Sequence, residues 1–247
     1  MIYNQHVRTA QIFVTCLVDT FFPEIAEAMC NVLRRAGVDV EFPREQTCCG
    51  QPAFNAGLRG GARQVAEHTI RVFEAATGDV VMPSGSCAHM IRHNYEELFA
   101  DDPSWLARVH ELSARTHEFT EYLVDVLGIT DCDSGWKGPL AYHPTCHLHR
   151  GLGIDRQPRE LLANVRGAEV RELAEAEDCC GFGGIFSVEH PELSAEMLKR
   201  KIKNFEATRA PTLVVCDAGC LMHIQGGLHR KKMPLQVAHI AEVLARV

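Results

Sequence analysis

Two vicinal cysteine pairs, each followed by glycine, constrain this 247-residue chain more than any other feature. The stretches are Thr47-Cys48-Cys49-Gly50-Gln51-Pro52 and Asp178-Cys179-Cys180-Gly181-Phe182-Gly183-Gly184, and each pair sits between two further cysteines at nearly matched distances. Cys16 lies 32 positions before Cys48, and Cys146 lies 33 before Cys179; Cys87 follows Cys49 by 38, and Cys220 follows Cys180 by 40. The pattern Cys…CysCysGly…Cys thus occurs twice, offset by about half the chain, so the halves read as two copies of one unit. Eight of the eleven cysteines fall into these quartets. Buried small hydrophobes would not fall into two matching registers by chance, and the arrangement reads as two four-thiolate metal sites.

Composition sets where such sites would operate. The net charge of −7 and the lack of a long basic run argue against nucleic acid or an anionic membrane surface as the main partner. The longest apolar run, residues 12 to 18, is broken by Thr15 and is too short to span a bilayer. No signal-peptide succession opens the chain. The expected compartment is the reducing cytoplasm, where clustered cysteines serve as metal ligands or redox thiols more often than as disulfides.

Residues 1–10 read as a polar arm or edge segment. Residues 11–18 form a β-rich apolar run carrying Cys16 at the C-terminal end of a strand, and 22–36 have helical apolar spacing between Pro23 and Gly37. A short strand over 38–42 leads into the first CysCysGly loop; a helix over 58–76 and a strand over 80–82 lead to Cys87. Residues 88–127 read as helical, with a break at Asp102-Pro103, and the polar, glycine-containing stretch 129–138 reads as a linker. The second half repeats the rhythm, with strands at 140–143, 168–173 and 212–216 and helices at 158–164, 191–207, 221–228 and from 239 onward. The expected fold is α/β: two pseudo-symmetric Rossmann-like halves, 1–128 and 139–247, each a small, mostly parallel sheet with flanking helices. Quartet cysteines at the C-terminal ends of strands, or in the loops after them, would converge where open α/β sheets place ligands.

The chemistry needs these residue types. Thiolates are soft ligands that suit zinc, copper(I) and iron–sulfur clusters. Gly50 and Gly181 let the backbone bend after each pair and free amides to donate to sulfur, and Gly183 and Gly184 extend the close-approach backbone. Structural zinc sites normally use C-x-x-C knuckles, and none occurs here. Vicinal cysteines suit a cluster, which offers several irons to adjacent sulfurs. A zinc-stabilised scaffold and a thiol-redox enzyme using one vicinal pair remain as rivals. Cys30 reads as core and Cys132 as an incidental thiol. His143, His147 and His149 flank Cys146 as core or surface residues, with outer-shell donation or ligation as the alternative. The basic residues Lys199, Arg200, Lys201 and Lys203 read as a solvated helix face, with a docking patch for an acidic partner as the alternative. No nucleophilic triad, phosphate-cradling loop or dinucleotide fingerprint is present, and no catalytic residue is assigned.

The doubled motif resembles the CCG-type cysteine-rich domain family, which includes the cysteine-rich component of heterodisulfide reductase and the iron–sulfur components of glycolate oxidase and anaerobic glycerol-3-phosphate dehydrogenase. Tyr142-His143-Pro144-Thr145-Cys146-His147-Leu148, the Cys179–Gly184 run and Asp217-Ala218-Gly219-Cys220-Leu221-Met222-His223 are similar to the stand-alone members that serve bacterial L-lactate oxidation. The resemblance spans Gln11 to the C-terminus. It implies a cytoplasmic iron–sulfur electron-transfer subunit with one or two clusters per chain, of the [4Fe–4S] type. Its partners would be other lactate utilization subunits, among them a ferredoxin-like iron–sulfur protein, and its substrate system L-lactate to pyruvate or another 2-hydroxy acid such as glycolate. The fuller family motif closes each quartet with C-x-x-C; here Ser84 and Asp217 stand at the first position of that pair. A five-thiolate cluster therefore does not carry over. Four thiolates remain per half, with Ser84 or Asp217 as candidate oxygen donors to one iron and Cys216 one residue out of register.

Overall fold

The computed structural model describes residues 8–247. The N-terminal arm expected over residues 1–10 lies outside the described residues for 1–7, and from Thr9 the chain is already in a strand. Two four-stranded, all-parallel sheets form the framework, as the α/β reading requires. The first contains β1 (Thr9–Ile12), β2 (Asp39–Glu41), β3 (Asp79–Met82) and β4 (Thr116–Glu118) in the order β2-β1-β3-β4. The second contains β5 (Gly135–Tyr142), β6 (Arg166–Glu172), β7 (Thr212–Val215) and β8 (Gln236–His239) in the order β6-β5-β7-β8. Strand for strand, the two orders are the same.

The helices follow from apolar spacing. Pro23–Arg35 has proline at its first position and buries Ile25, Ala28, Met29, Val32 and Leu33, one face of a 3.6-residue period. Arg59–Glu74 buries Ala62, Ala66, Thr69, Ile70 and Phe73, and Pro191–Ala207 buries Ser194, Lys201, Ile202 and Phe205.

Four sequence-based expectations are corrected. The first strand ends at Ile12, and Cys16 instead opens the helix Cys16–Phe21. Residues 88–127 are not helical throughout, because Thr116–Glu118 pairs in parallel with Val80–Met82. Likewise Gln236–His239 pairs with Thr212–Val215 ahead of the last helix. These fourth strands are short and lie at sheet edges, and Thr-His-Glu carries no alternating apolar signal; the pairing makes them strands. The stretch 129–138 also includes the start of β5 at Gly135.

Each fourth strand ends in the residue that caps the next helix. Glu118 accepts from the amides of Thr120 (2.7 Å) and Glu121 (3.3 Å), with Glu121 closing a capping box, and His239 does the same with Ala241 and Glu242. Glu118 is fully buried, and burial pushes its carboxyl up to about 8. The folded protein thus holds a proton there that the unfolded chain releases near the ordinary carboxylate range. This contribution to stability should fall as pH rises from about 4.5 through about 8 and level off above. Glu118→Gln is expected to flatten that limb in denaturant melts taken across this range; an unchanged slope would assign the pH dependence elsewhere.

One apolar core runs through both sheets. Ile12, Val18, Ile25 and Met29 from the first half pack in the same cluster as Leu140, Tyr142, Val214, Ile240 and Leu244 from the second. A smaller cluster, with Phe13, Phe73, Val80, Met82 and Tyr95, fills the other face of the first sheet. Across the seam, the Arg35 guanidinium donates to the carbonyls of Leu244 (2.5 Å) and Ala245 (2.9 Å), capping the last helix. Gly85 approaches Leu148 so closely that a Cβ would stand 2.8 Å from the Leu148 Cβ.

Candidate metal centre

All eight quartet cysteines line one cavity of about 160 Å³ at the junction of the two sheets. The loops and helix starts that follow the strands deliver them, so residues up to 204 positions apart (Cys16 and Cys220) meet in one place. None of the eleven cysteines is in a disulfide. In the first quartet the Cys49 and Cys87 sulfurs lie 3.4 Å apart; in the second, Cys180 and Cys220 lie 3.2 Å apart and Cys146 and Cys179 3.9 Å.

The turn after each pair explains its glycine. Gly50 and Gly181 have φ of +87° and +94°, the left-handed region, and a Cβ on Gly181 would lie 2.6 Å from the Ser194 carbonyl oxygen. In that conformation the Gly50 amide points at the Cys48 sulfur and the Gly181 amide at Cys179, both at 3.4 Å. The Phe182 amide points at Cys180 at 3.5 Å. Gly183 and Gly184 line the cavity wall, also with positive φ.

The sulfurs are electrostatically unequal. Hydrogen bonds from the Cys16 and Cys49 thiols, with the Gly50 amide, bring Cys48 down to about 3. Bonds from Cys146 and Cys180, with the Gly181 amide, bring Cys179 down to about 2. The donors Cys16 and Cys146 are pushed up correspondingly. Each quartet therefore holds a thiolate charge that its neighbours share, with backbone amides supplying the remaining stabilisation. Soft, clustered, partly ionised sulfur with no competing disulfide is a donor set that fits a thiolate-bound metal or iron–sulfur centre.

Ser84 and Asp217 both line the cavity, and they meet across the seam. Asp217 Oδ2 accepts from the Ser84 hydroxyl (3.0 Å) and the Ser86 amide (3.1 Å), while Oδ1 accepts from the Gly219 amide (2.9 Å). An isolated antiparallel bridge joins the same two residues. His239 Nε2 lies 3.1 Å from the Pro83 carbonyl oxygen beside them. The pair thus ties the two halves together between the quartets.

Cys216 is fully buried, is not among the residues that line the cavity, and lies 3.9 Å from the Tyr142 hydroxyl. Cys30 packs at the edge of the core, and so does Cys132, which burial pushes up to about 11. The three histidines near Cys146 separate. His147 lines the cavity with Nδ1 3.7 Å from the Cys146 sulfur, His149 turns to Asp155 and Glu177, and His143 is fully buried. One further expectation fails: Lys201 is not on a solvated face but 1% exposed, donating to the carbonyls of Glu175 (3.2 Å) and Ala176 (3.0 Å). Its place on the stripe Ser194, Lys201, Ile202, Phe205 is the available signal, masked by the charged neighbours Lys199, Arg200 and Lys203. Lys199 pairs with Glu196 and Arg200 with Asp178.

The repeated sheets and the shared cysteine cavity define a doubled cysteine-rich protein whose donor set fits a metal or iron–sulfur centre. The chain belongs to the CCG cysteine-rich domain family, whose model matches residues 10–92 and 140–225. It is similar over nearly its whole length to curated relatives. Lactate utilization protein A 2 of Bacillus cereus is 44% identical over 235 residues, covering 95% of this chain and 97% of that protein. Lactate utilization protein A of an Exiguobacterium species is 45% identical over 234 residues, covering 94% and 95%. Among solved structures, a hypothetical protein from Helicobacter pylori superposes with a TM-score of 0.65 at 9% identity, over 96% of this chain and 48% of that one, a likeness of fold alone. Among the described residues, no helix is long and apolar enough to cross a membrane.

Proposed function

We propose that this chain is the iron–sulfur electron-transfer subunit of a multi-protein system that oxidises L-lactate to pyruvate. The observation that carries the reading is the convergence of two complete cysteine quartets on one cavity. Cys16, Cys48, Cys49 and Cys87 would hold one centre, and Cys146, Cys179, Cys180 and Cys220 the other, so that the segments 1–128 and 139–247 each contribute one site. A [4Fe–4S] group bound there supplies one-electron acceptance at a potential set by thiolate count, hydrogen bonds to sulfur and exposure. The chain's own part is to orient and tune. The Gly50, Gly181 and Phe182 amides donate to sulfur, the Ser84–Asp217 contact fixes the quartets relative to each other, and Leu17, Pro52 and Phe182 line the cavity with apolar surface.

Oxidation of L-lactate to pyruvate releases two electrons and two protons, so two one-electron sites in one chain match its stoichiometry. The names carried by the relatives support the lactate system. They also support other lactate utilization subunits as partners, and a ferredoxin-like iron–sulfur protein is proposed to be among them. The acidic net charge supports a protein without nucleic-acid partners, and the cytoplasm is the proposed compartment.

Iron, acid-labile sulfide and zinc, measured on protein purified without air, test the reading. About four iron and four sulfide per filled quartet are expected, with a paramagnetic resonance signal that responds to reduction. Zinc without sulfide would overturn the reading in favour of a metal-held scaffold. A metal-free protein whose activity survives chelation and is lost on thiol alkylation would overturn it in favour of thiol chemistry.

A further inference from the structure

The two halves differ at one buried position that matters for metal binding. Phe13 and His143 are structural counterparts. Each directly follows the first strand of its half, and each precedes the first quartet cysteine by three positions. Each also donates its backbone amide to the adjacent strand, Phe13 to Val81 at 2.9 Å and His143 to Val214 at 3.0 Å. Both side chains are fully buried. In the first half the position is filled by a phenyl ring packed on Phe73, with centroids 5.3 Å apart. In the second it carries an imidazole.

That imidazole is placed as a ligand would be. A ring nitrogen of His143 and the sulfurs of Cys180 and Cys220 all lie within 4.8 Å of one another, and all three residues are buried. His143 Nδ1 is 3.4 Å from the Ala176 carbonyl oxygen, an acceptor that requires Nδ1 to carry the proton. Nε2 is then a lone pair, and it is buried with no hydrogen-bond partner. A neutral imidazole with Nδ1–H held by a backbone carbonyl and Nε2 free is the usual state of a metal-ligating histidine. An unpaired buried acceptor is otherwise unfavourable.

We propose that His143 is a nitrogen ligand of the second centre, making the two sites chemically unequal: four thiolates in the first, thiolates plus imidazole in the second. A second difference points the same way. Lys201, at the same place on its helix as Thr69, seven residues after the residue that packs on the CysCysGly glycine, brings a buried ammonium to the loop ahead of Cys179 and donates to the same Ala176 carbonyl. A nearby cation offsets the negative charge of a centre and raises its reduction potential, and a neutral imidazole adds none of the charge that a further thiolate would. The second site is therefore the higher-potential one, and electrons shared between the two come to rest there.

The inference rests on the iron–sulfur reading of the quartets, so iron and sulfide are measured first, on the full chain reconstituted anaerobically with ferrous iron and sulfide. Pulsed paramagnetic resonance of the reduced protein, with and without 15N-histidine labelling, then reads the ligand directly. The expected result is one strongly coupled histidine nitrogen in the native protein, absent from both His143→Phe and His143→Cys. His143→Cys should keep the native iron and sulfide content, which separates ligation from folding, and should shift the higher of two midpoint potentials downward. Native iron and sulfide without a strongly coupled histidine nitrogen, or a coupling that persists in His143→Cys, would overturn the ligand assignment and leave the thiolate reading intact. Failure of the native chain to bind iron and sulfide would overturn both.

Discussion

Replacing Cys179 and Cys180 together with serine is expected to lower iron and acid-labile sulfide by roughly half and to leave the first centre's signal in place, because two of one quartet's four thiolates are gone while the other quartet is untouched. The Cys48 and Cys49 double variant should do the converse. Both effects follow from the cavity geometry: the vicinal pairs supply the sulfur that holds thiolate charge and the sulfur most tightly engaged with the last cysteine of each quartet. Because metal binding contributes to folding, each variant should also melt at lower temperature than the loaded native protein. Metal analysis with paramagnetic resonance on the two variants checks this. Full metal content in either would show that the pair is not part of a site, and loss of both centres in either would show that the quartets bind one shared group.

Gly181→Ala is expected to destabilise the protein by about 3–5 kcal/mol, from left-handed strain together with a backbone collision. The residue sits at φ +94°, and the added Cβ would come 2.6 Å from the Ser194 carbonyl oxygen and 3.0 Å from the Met197 Cβ. Ser194 donates its hydroxyl back to the Gly181 carbonyl at 2.8 Å, so the helix Pro191–Ala207 cannot retreat without giving up that bond. The turn also aims the Gly181 amide at Cys179, and distorting it should weaken metal retention. Gly184→Ala is the control: it shares positive φ, at +60°, but its Cβ would enter open space. It should cost about 1 kcal/mol. Thermal melts of the two variants side by side separate strain from collision. Equal, small losses in both would mean that the CysCysGly turn yields more easily than its geometry implies.

Much of this protein is legible in the order of its residues. The doubled cysteine register is a property of sequence spacing, and it alone pairs the halves and names the eight sulfurs that line the cavity. The helices over 23–35 and 191–207 are readable because their apolar residues recur at 3.6 positions and proline marks their starts. The glycines after the vicinal pairs are readable because that residue tolerates the left-handed turn needed there.

Other features have no local signal. Thr116–Glu118 and Gln236–His239 are strands because a neighbouring strand offers hydrogen bonds, which no window of sequence contains. Lys201 reads as solvated by its charge and is buried because two loop carbonyls accept from its ammonium. Ser84 and Asp217, 133 positions apart, meet only because the two sheets share one core, and the same packing turns two separate quartets into the lining of one cavity. Sequence by itself determined which thiols gather, their number and their two-fold repeat, since these are written in residue identity and spacing. Tertiary structure alone decided which groups outside the quartets reach the sulfurs, and so that His143 rather than His149 stands beside Cys180 and Cys220. Proximity between distant segments is set by packing of the shared core, not by the chain's local preferences.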